Sequence, residues 1–240
     1  RITPSIDRFI SKDSTLSFYL NSSFLIHENY PKNKFSFFLS ASTIKNLSVV
    51  IEPIIISSYY GLNELGTDYN RGGFSGIFKN SFIRYKTKNF MINYGRSSIS
   101  WGKSLDYSII QSANQPSYDH FFMRMIFKNI SLDILNGQLN SEYLVNDQRI
   151  RRNISGHRLN LIFNDNFALT IGEQILYTGI NRPLELFYSN PFMPYFLAGL
   201  EGEEEIFQSD NDNSIIFAEF NYCYKKYLNL HGELIIDDIQ

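Results

Sequence analysis

The sequence predicts an all-β protein, an antiparallel transmembrane β-barrel of the outer-membrane type. Three observations predict it. First, apolar and polar residues alternate through most of the chain. Near its end Leu228, Leu230, Leu234 and Ile236 fall on one strand face, and Asn229, His231, Glu233 and Asp237 fall on the other. Second, 21 Phe and 16 Tyr stand against one Trp and 7 Pro, yet mean hydropathy is only −0.21. A barrel keeps its average low because every second strand residue faces a wet lumen. Third, no run approaches the ~18 to 20 apolar residues of a membrane helix. The greasiest stretch, Leu47 to Ile56, is interrupted by Glu52 and Pro53.

The elements follow in order. Leu16, Phe18, Leu20, Phe24 and Ile26 alternate with Ser17, Asn21, Ser23 and His27, and the polar run from Glu28 to Asn33 reads as a turn. Phe35, Phe37 and Leu39 begin a second strand. Leu47 to Ser57 is a third, with Pro53 implying a bulge or a strand end. Gly61 to Gly76 is loop-like. Ile77 to Lys86 and Asn89 to Gly95 form a hairpin turning at Thr87-Lys88. His120 to Lys128 puts Phe121, Met123, Met125 and Phe127 outward, and Asn129 turns the chain into Ile130, Leu132 and Ile134. Leu159, Leu161 and Phe163 precede the turn Asn164 to Asn166; Phe167, Leu169 and Ile171 follow it. Ser214 to Tyr222 and Leu228 to Ile236 are the last hairpin, turning near Lys225-Lys226. That makes about eleven strands of ~8 to 11 residues, the bilayer-crossing length. Short turns alternate with longer connections at 61–73, 97–118, 137–154 and 179–212. Leu184 to Leu200 has room for a helical turn, but Pro183, Pro191 and Pro194 break it up.

The formal net charge of −2 gives no basic signature for nucleic acid. The one cysteine, Cys223, makes no internal disulfide and reads as a small strand side chain. A chain that opens on Arg1 and stops at Gln240, at the end of a strong strand, reads as an internal fragment of a longer protein, with 1–240 as one barrel domain.

Few residues point to chemistry. Trp101, in Gly95-Arg96-Ser-Ser-Ile-Ser-Trp101-Gly102, suits a membrane-interface belt or a sugar-stacking surface, the belt being the simpler reading. Arg96 is expensive against lipid and is expected in the lumen beside a carboxylate. His157 and Arg158 suit an anionic group, or a lumen ion pair with Glu173 on the next strand. Glu173, Glu219, Glu233, Asp237 and Asp238 sit on or beside strands, where carboxylates facing Arg and Lys need no catalytic explanation. Glu233 and Asp237 share a face about 13 Å apart, too far for a glycosidase pair; a pairing across strands stays open. The loop acids Glu201 to Glu205, Asp210 and Asp212 lack the spacing of a Ca²⁺ loop. The four His residues lack zinc spacing, and no nucleotide or hydrolase motif occurs. The expectation is a protein without metal or cofactor that is not an enzyme.

Several of these pieces, in order, resemble the Wzi-like capsule assembly family of Gram-negative bacteria. They are Gly95-Arg96 to Trp101-Gly102, Ser155 to Leu159, Ile171-Gly172-Glu173 with Tyr177, Tyr188 to Pro191, Asp212-Asn213, and Glu233 to Asp238. They span roughly residues 76–240; residues 1–75 match as generic barrel strands. The resemblance implies an outer-membrane barrel of about eighteen strands, its lumen closed by side chains and inserted segments. Such a protein acts as a surface lectin that retains capsular polysaccharide without catalysis. Its partners are then membrane lipid and that polysaccharide. Trp101, Tyr118, His120, Tyr188, Asn190 and Tyr195 are the expected sugar contacts. Arg96, Arg158, Glu173, Glu233 and Asp237 are the expected lumen network. Rival readings are a porin-like channel and a surface glycan hydrolase.

Overall fold

A computed structural model describes residues 15–27, 30–44, 46–57, 72–102, 108–112, 114–143, 149–195, 212–225 and 227–237. The strands are β1 (Thr15–His27), β2 (Tyr30–Ile44), β3 (Leu47–Ser57), β4 (Phe74–Lys86), β5 (Phe90–Ser97) and β6 (Tyr118–Phe127). There follow β7 (Ile130–Gln138), the short β8 (Glu142–Tyr143), β9 (Arg149–Asn164), β10 (Phe167–Ile180), β11 (Asp212–Tyr224) and β12 (Leu228–Asp237). They form one antiparallel sheet in chain order, with β8 a side branch on β9. Among the described residues β1 and β12 do not pair, so the sheet is not closed.

The sheet is greasy outside and polar inside. Leu16, Phe18, Phe78, Tyr94, Phe127, Phe163 and Leu234 are each at least half exposed, and register places them on one face. Ser48, Asn80, Asn93, His120, Asp133, Arg158, Thr170 and Glu219 are buried on the other. A water-soluble protein does the reverse, since exposed apolar area costs ~25 cal/mol per Å² in water. The inversion is stable only against lipid, so this is the wall of an outer-membrane barrel.

The two ends of the sheet differ. At one end the turns are short: near Asn46, at Thr87–Asn89, Lys128–Asn129, Asp165–Asn166 and Lys225–Tyr227. Asn46, Lys128 and Lys225 take left-handed backbone there. The Asn164 carboxamide oxygen accepts the N–H groups of Asn166 and Phe167 at 2.9 and 2.8 Å, which closes the β9–β10 turn. Tyr85, Phe90, Phe127, Phe163, Phe167, Tyr222 and Tyr224 stand beside these turns on the lipid face, as an aromatic girdle does. At the other end the strands are joined by longer connections, 58–73, 98–117, 139–148 and 181–211, with the two-residue link between β1 and β2 the exception. The expected break at Pro53 is present as a register shift between Glu52 and Pro53.

Some elements outrun their sequence signal. β4 begins at Phe74, inside the stretch read as a loop. β9 begins at Arg149, inside a stretch whose polar residues read as a loop. There both faces are covered: Ile154, Gly156 and Arg158 face the lumen, and Asn153, Ser155 and His157 lie beneath the segment 182–195. With no lipid on either side the alternation disappears. Segment 182–195, which holds one 3₁₀ turn at Phe187–Ser189 and is here called the strap, packs Tyr188 and Tyr195 on Ile175 and Tyr177.

The lumen side is filled by a plug. The connection after β5 folds over the concave face, where Trp101 bridges to Gln111 and packs with Phe122, Leu135, Ile154 and Phe217. Farther along it, the Ile109 N–H donates to Glu233 Oε2 at 2.7 Å and the Ser108 hydroxyl donates to the same oxygen at 3.0 Å. Glu233 lies on β12, five strand steps from β6. At ~4.8 Å per step that is about 24 Å along a flat sheet, so the plug reaches across the inside of a curled wall.

Candidate functional site

Alternation along β4, β6, β7 and β9 turns Arg84, Arg124, Asp133 and Arg158 to the lumen. Register sets Arg124, Asp133 and Arg158 side by side on adjacent strands. Arg124 grips Asp133 with both arms, Nε to Oδ1 at 2.5 Å and Nη2 to Oδ2 at 2.6 Å. Arg158 Nε donates to Oδ2 at 2.8 Å. Asp133 is fully buried, and these charge-assisted bonds fix its carboxylate between the two guanidinium groups.

Each arginine also lies over a ring: Arg84 over Phe82 at 4.9 Å, Arg124 over Phe122 at 5.7 Å and Arg158 over Trp101 at 5.2 Å. Beside them is a pocket of about 230 Å³ lined by Arg84, Asn93, Trp101, Phe122, Arg124 and Arg158. Gly156 makes room for the indole. A Cβ there would stand 2.6 Å from Trp101 Cη2, closer than atoms tolerate. The arrangement is a recess walled by three guanidinium groups and the rings they lie over.

The expected sugar contacts need correction. Trp101, Tyr118, His120, Tyr188 and Tyr195 are all buried. Trp101 is 1% exposed, so it is neither a belt residue nor a surface for a polymer. The Tyr118 hydroxyl accepts from Gln111 Nε2 at 2.5 Å, and His120 joins Asn93 at 2.9 Å. The Tyr188 hydroxyl donates to Asp212 Oδ2 at 2.8 Å, and that of Tyr195 donates to the Tyr188 carbonyl at 2.8 Å. These residues hold frames. Asn190 alone of the set is exposed, with Phe192 beside it.

The expected lumen network divides. Arg158 and Glu233 are in it. Asp237 shares their face but is exposed at the end of β12. Arg96 has the expected carboxylate, Asp119, at 2.5 and 3.0 Å, but register puts the pair on the outer face at the loop end, where it lies beyond the apolar band. Glu173 faces His157 in register, with Glu173 Oε2 and His157 Nε2 4.0 Å apart, but beneath the strap on the outer face. There Glu173 Oε2 accepts the Tyr195 N–H at 2.6 Å. The acids Glu201 to Glu205, Asp210 and Asp238 lie outside the described residues.

Sequence reasoning missed Arg84, Arg124, Asp133 and Arg182. For Arg124 and Asp133 the signal was there: each occupies the inward parity of a strand whose outward residues were read correctly. Arg182 anchors the strap. It binds both carboxylate oxygens of Asp212, reaches Glu185 Oε1 at 2.6 Å and lies over Tyr177 at 4.9 Å. Burial works to lower the Arg182 guanidinium, but Asp212 and Glu185 together hold it above its ordinary value. Burial, then the Asp212 carboxylate, pushes the Tyr188 phenol up; burial, then Glu173, does the same to Tyr195.

No family model matches the chain, and no curated protein matches it. Among solved structures it is similar to OmpTdeltaL8, the loop L8 deletion mutant of OmpT, an outer membrane protein of Vibrio cholerae. The identity is 8%, the TM-score 0.28, and the match covers 94% of each chain. At that level the likeness carries no argument of its own, and the outer-membrane architecture rests on the two faces of the sheet. The expectation that the chain is not an enzyme does not stand. An outer-membrane scaffold is compatible with an enzymatic fold, because activity belongs to the groups a fold carries. Glu219 also faces Glu233 directly across β11 and β12, the cross-strand carboxylate pairing that the sequence left open.

Proposed function

We propose that the protein is a plugged outer-membrane barrel of the Wzi-like kind that retains capsular polysaccharide at the surface of a Gram-negative cell. The plug carries this reading. A channel needs a wet, continuous lumen, whereas here Trp101 is seated on Gly156 and the plug is tied to Glu233 across the interior. Asn190 and Phe192, exposed on the strap at the loop end, are the contacts this reading retains for the polymer. Membrane lipid is the partner of the apolar face.

The test combines planar-bilayer conductance of the purified protein with polysaccharide retention by cells lacking and carrying it. The proposal expects little conductance, and polysaccharide shed into the medium when the protein is missing. Porin-sized conductance together with unchanged retention would replace this reading with that of a channel.

A further inference from the structure

The strap covers polar positions that lipid would reject. Near the loop end the outward residues of β7, β9, β10 and β11 include Asn136, Asn153, Ser155, Glu173 and Asp212. Asn136 Oδ1 accepts the Ser155 and Ser189 hydroxyls at 2.9 and 3.0 Å, and Asn153 Nδ2 donates to the Pro183 carbonyl at 3.2 Å. Asp212 is held by Arg182 and Tyr188, and Glu173 by the Tyr195 N–H. The strap thus turns its polar groups to the wall. Its far side is apolar: Leu184, Leu186 and Phe192 are 49%, 87% and 83% exposed. A loop in water does the reverse. The same inversion marks the lipid face of the strands. Ile171, exposed two residues from Glu173 on the same face of β10, joins the two surfaces.

Strand geometry gives the depth. On β9, Phe163 stands in the aromatic girdle at the turn end, and His157 and Asn153 lie six and ten residues from it on the same face. At ~3.3 Å per residue and a tilt of ~35 to 45°, those residues are about 15 and 25 Å above the girdle. The apolar band of an outer-membrane barrel is ~25 Å tall. The Pro183 carbonyl binds Asn153 and Tyr195 packs on His157, so the strap runs from the upper edge of that band down into it. Asn190 is exposed on the same segment, and its Oδ1 accepts the Phe192 N–H at 3.1 Å. That bond sets a carboxamide beside an exposed ring.

We infer that the strap is seated in the outer leaflet and takes a lipid-linked saccharide, with acyl chains along Leu184, Leu186 and Phe192 and the first sugar at Asn190. The lipid half rests on the strap alone. The sugar half rests on the polysaccharide reading, and narrows it to the end of the polymer that is held in the membrane.

Trp101 is the chain's one tryptophan and is buried in the lumen, so a second tryptophan on the strap is read against a lipid-shielded one. Leu186→Trp and Phe192→Trp proteins are placed in phosphatidylcholine vesicles with and without bromine on the acyl chains. Bromine is expected to quench both added tryptophans and to leave the emission of the unaltered protein nearly unchanged. The Phe192→Trp protein in detergent is then titrated with lipopolysaccharide and with its acyl-free saccharide. The lipid-linked form is expected to bind at least about tenfold more tightly. Leu184→Ser with Leu186→Ser is expected to erase that difference while the unheated protein keeps its folded gel mobility. Emission untouched by bromine at both positions overturns the seat in the leaflet and the ligand with it. Equal affinity for the two forms, binding of neither, or a difference that survives in the folded double-serine protein overturns the lipid-linked ligand. Cells that shed no polysaccharide when the protein is missing overturn the sugar half and leave the bromine result standing, so the two failures are told apart.

Discussion

Replacing Trp101 with alanine removes the keystone of the plug. The side chain is 1% exposed, and an aromatic of this size buries ~150 to 250 Å². At ~25 cal/mol per Å² that is about 4 to 6 kcal/mol of burial. Aromatic-to-alanine substitutions in cores cost ~3 to 5 kcal/mol once the cavity is included. Arg158 also loses the ring on which it lies at 5.2 Å. Taking about 4 kcal/mol, and ~2 to 4 °C per kcal/mol for a chain of this size, the midpoint falls by ~8 to 16 °C. The assay is the temperature at which the folded band in unboiled gels gives way to the unfolded one. Conductance should rise in the same variant, because the cavity lies where the plug crosses the lumen. Gly156→Ala attacks the same contact from the wall and should cost ~1 to 3 kcal/mol through crowding. An unchanged midpoint with unchanged conductance in Trp101→Ala would refute the plug.

Other consequences are open to test. Asp133→Asn removes the buried carboxylate that Arg124 and Arg158 share; the barrel should lose ~3 to 5 kcal/mol, measured by melting. Ile171→Arg places a charge on the lipid face and should cost ~2 to 4 kcal/mol if that position lies near the midplane, measured by urea unfolding in vesicles. Arg182→Met should release the strap, seen as faster proteolysis between Arg182 and Tyr195 with the strands intact. Tyr188 and Tyr195 ionise less readily when folded, so their contribution is fully present below the unfolded value of about 10 and lost as pH rises above it. Ultraviolet titration should show these two phenols ionising after the exposed ones.

The wall was legible wherever one face meets lipid. Leu228 to Ile236 and Phe121 to Phe127 keep apolar residues at the outward positions, Gly232 excepted, because lipid selects that face, while the inward positions mix Arg124, His231 and Glu233 with Phe122, Ile126 and Ile235. Legibility failed where that contrast fails. Arg149 to Arg158 is polar on both sides, since lumen and strap replace water and lipid. The pairings also needed the third dimension. Arg96 has its carboxylate but on the outer face, where simple alternation from Phe90, Ile92 and Tyr94 also puts it; the cost of a charge against lipid is avoided by its place at the strand end beside Asp119. Trp101 carried a glycine-flanked signal that fits a belt as well as a plug. Only its seat on Gly156, fifty-five positions away, separates the two.

The most direct test of the two-faced wall is a spin-label scan of β12, with Cys223 replaced by serine and single cysteines at 229, 230, 231, 233, 234 and 236. In lipid vesicles, accessibility to oxygen, which partitions into the bilayer, should be high at 230, 234 and 236 and low at 229, 231 and 233. A water-soluble nickel reagent should not reverse to favour the first set. Equal access of the nickel reagent to both faces, or a protein that stays out of the vesicles, would contradict the outer-membrane barrel.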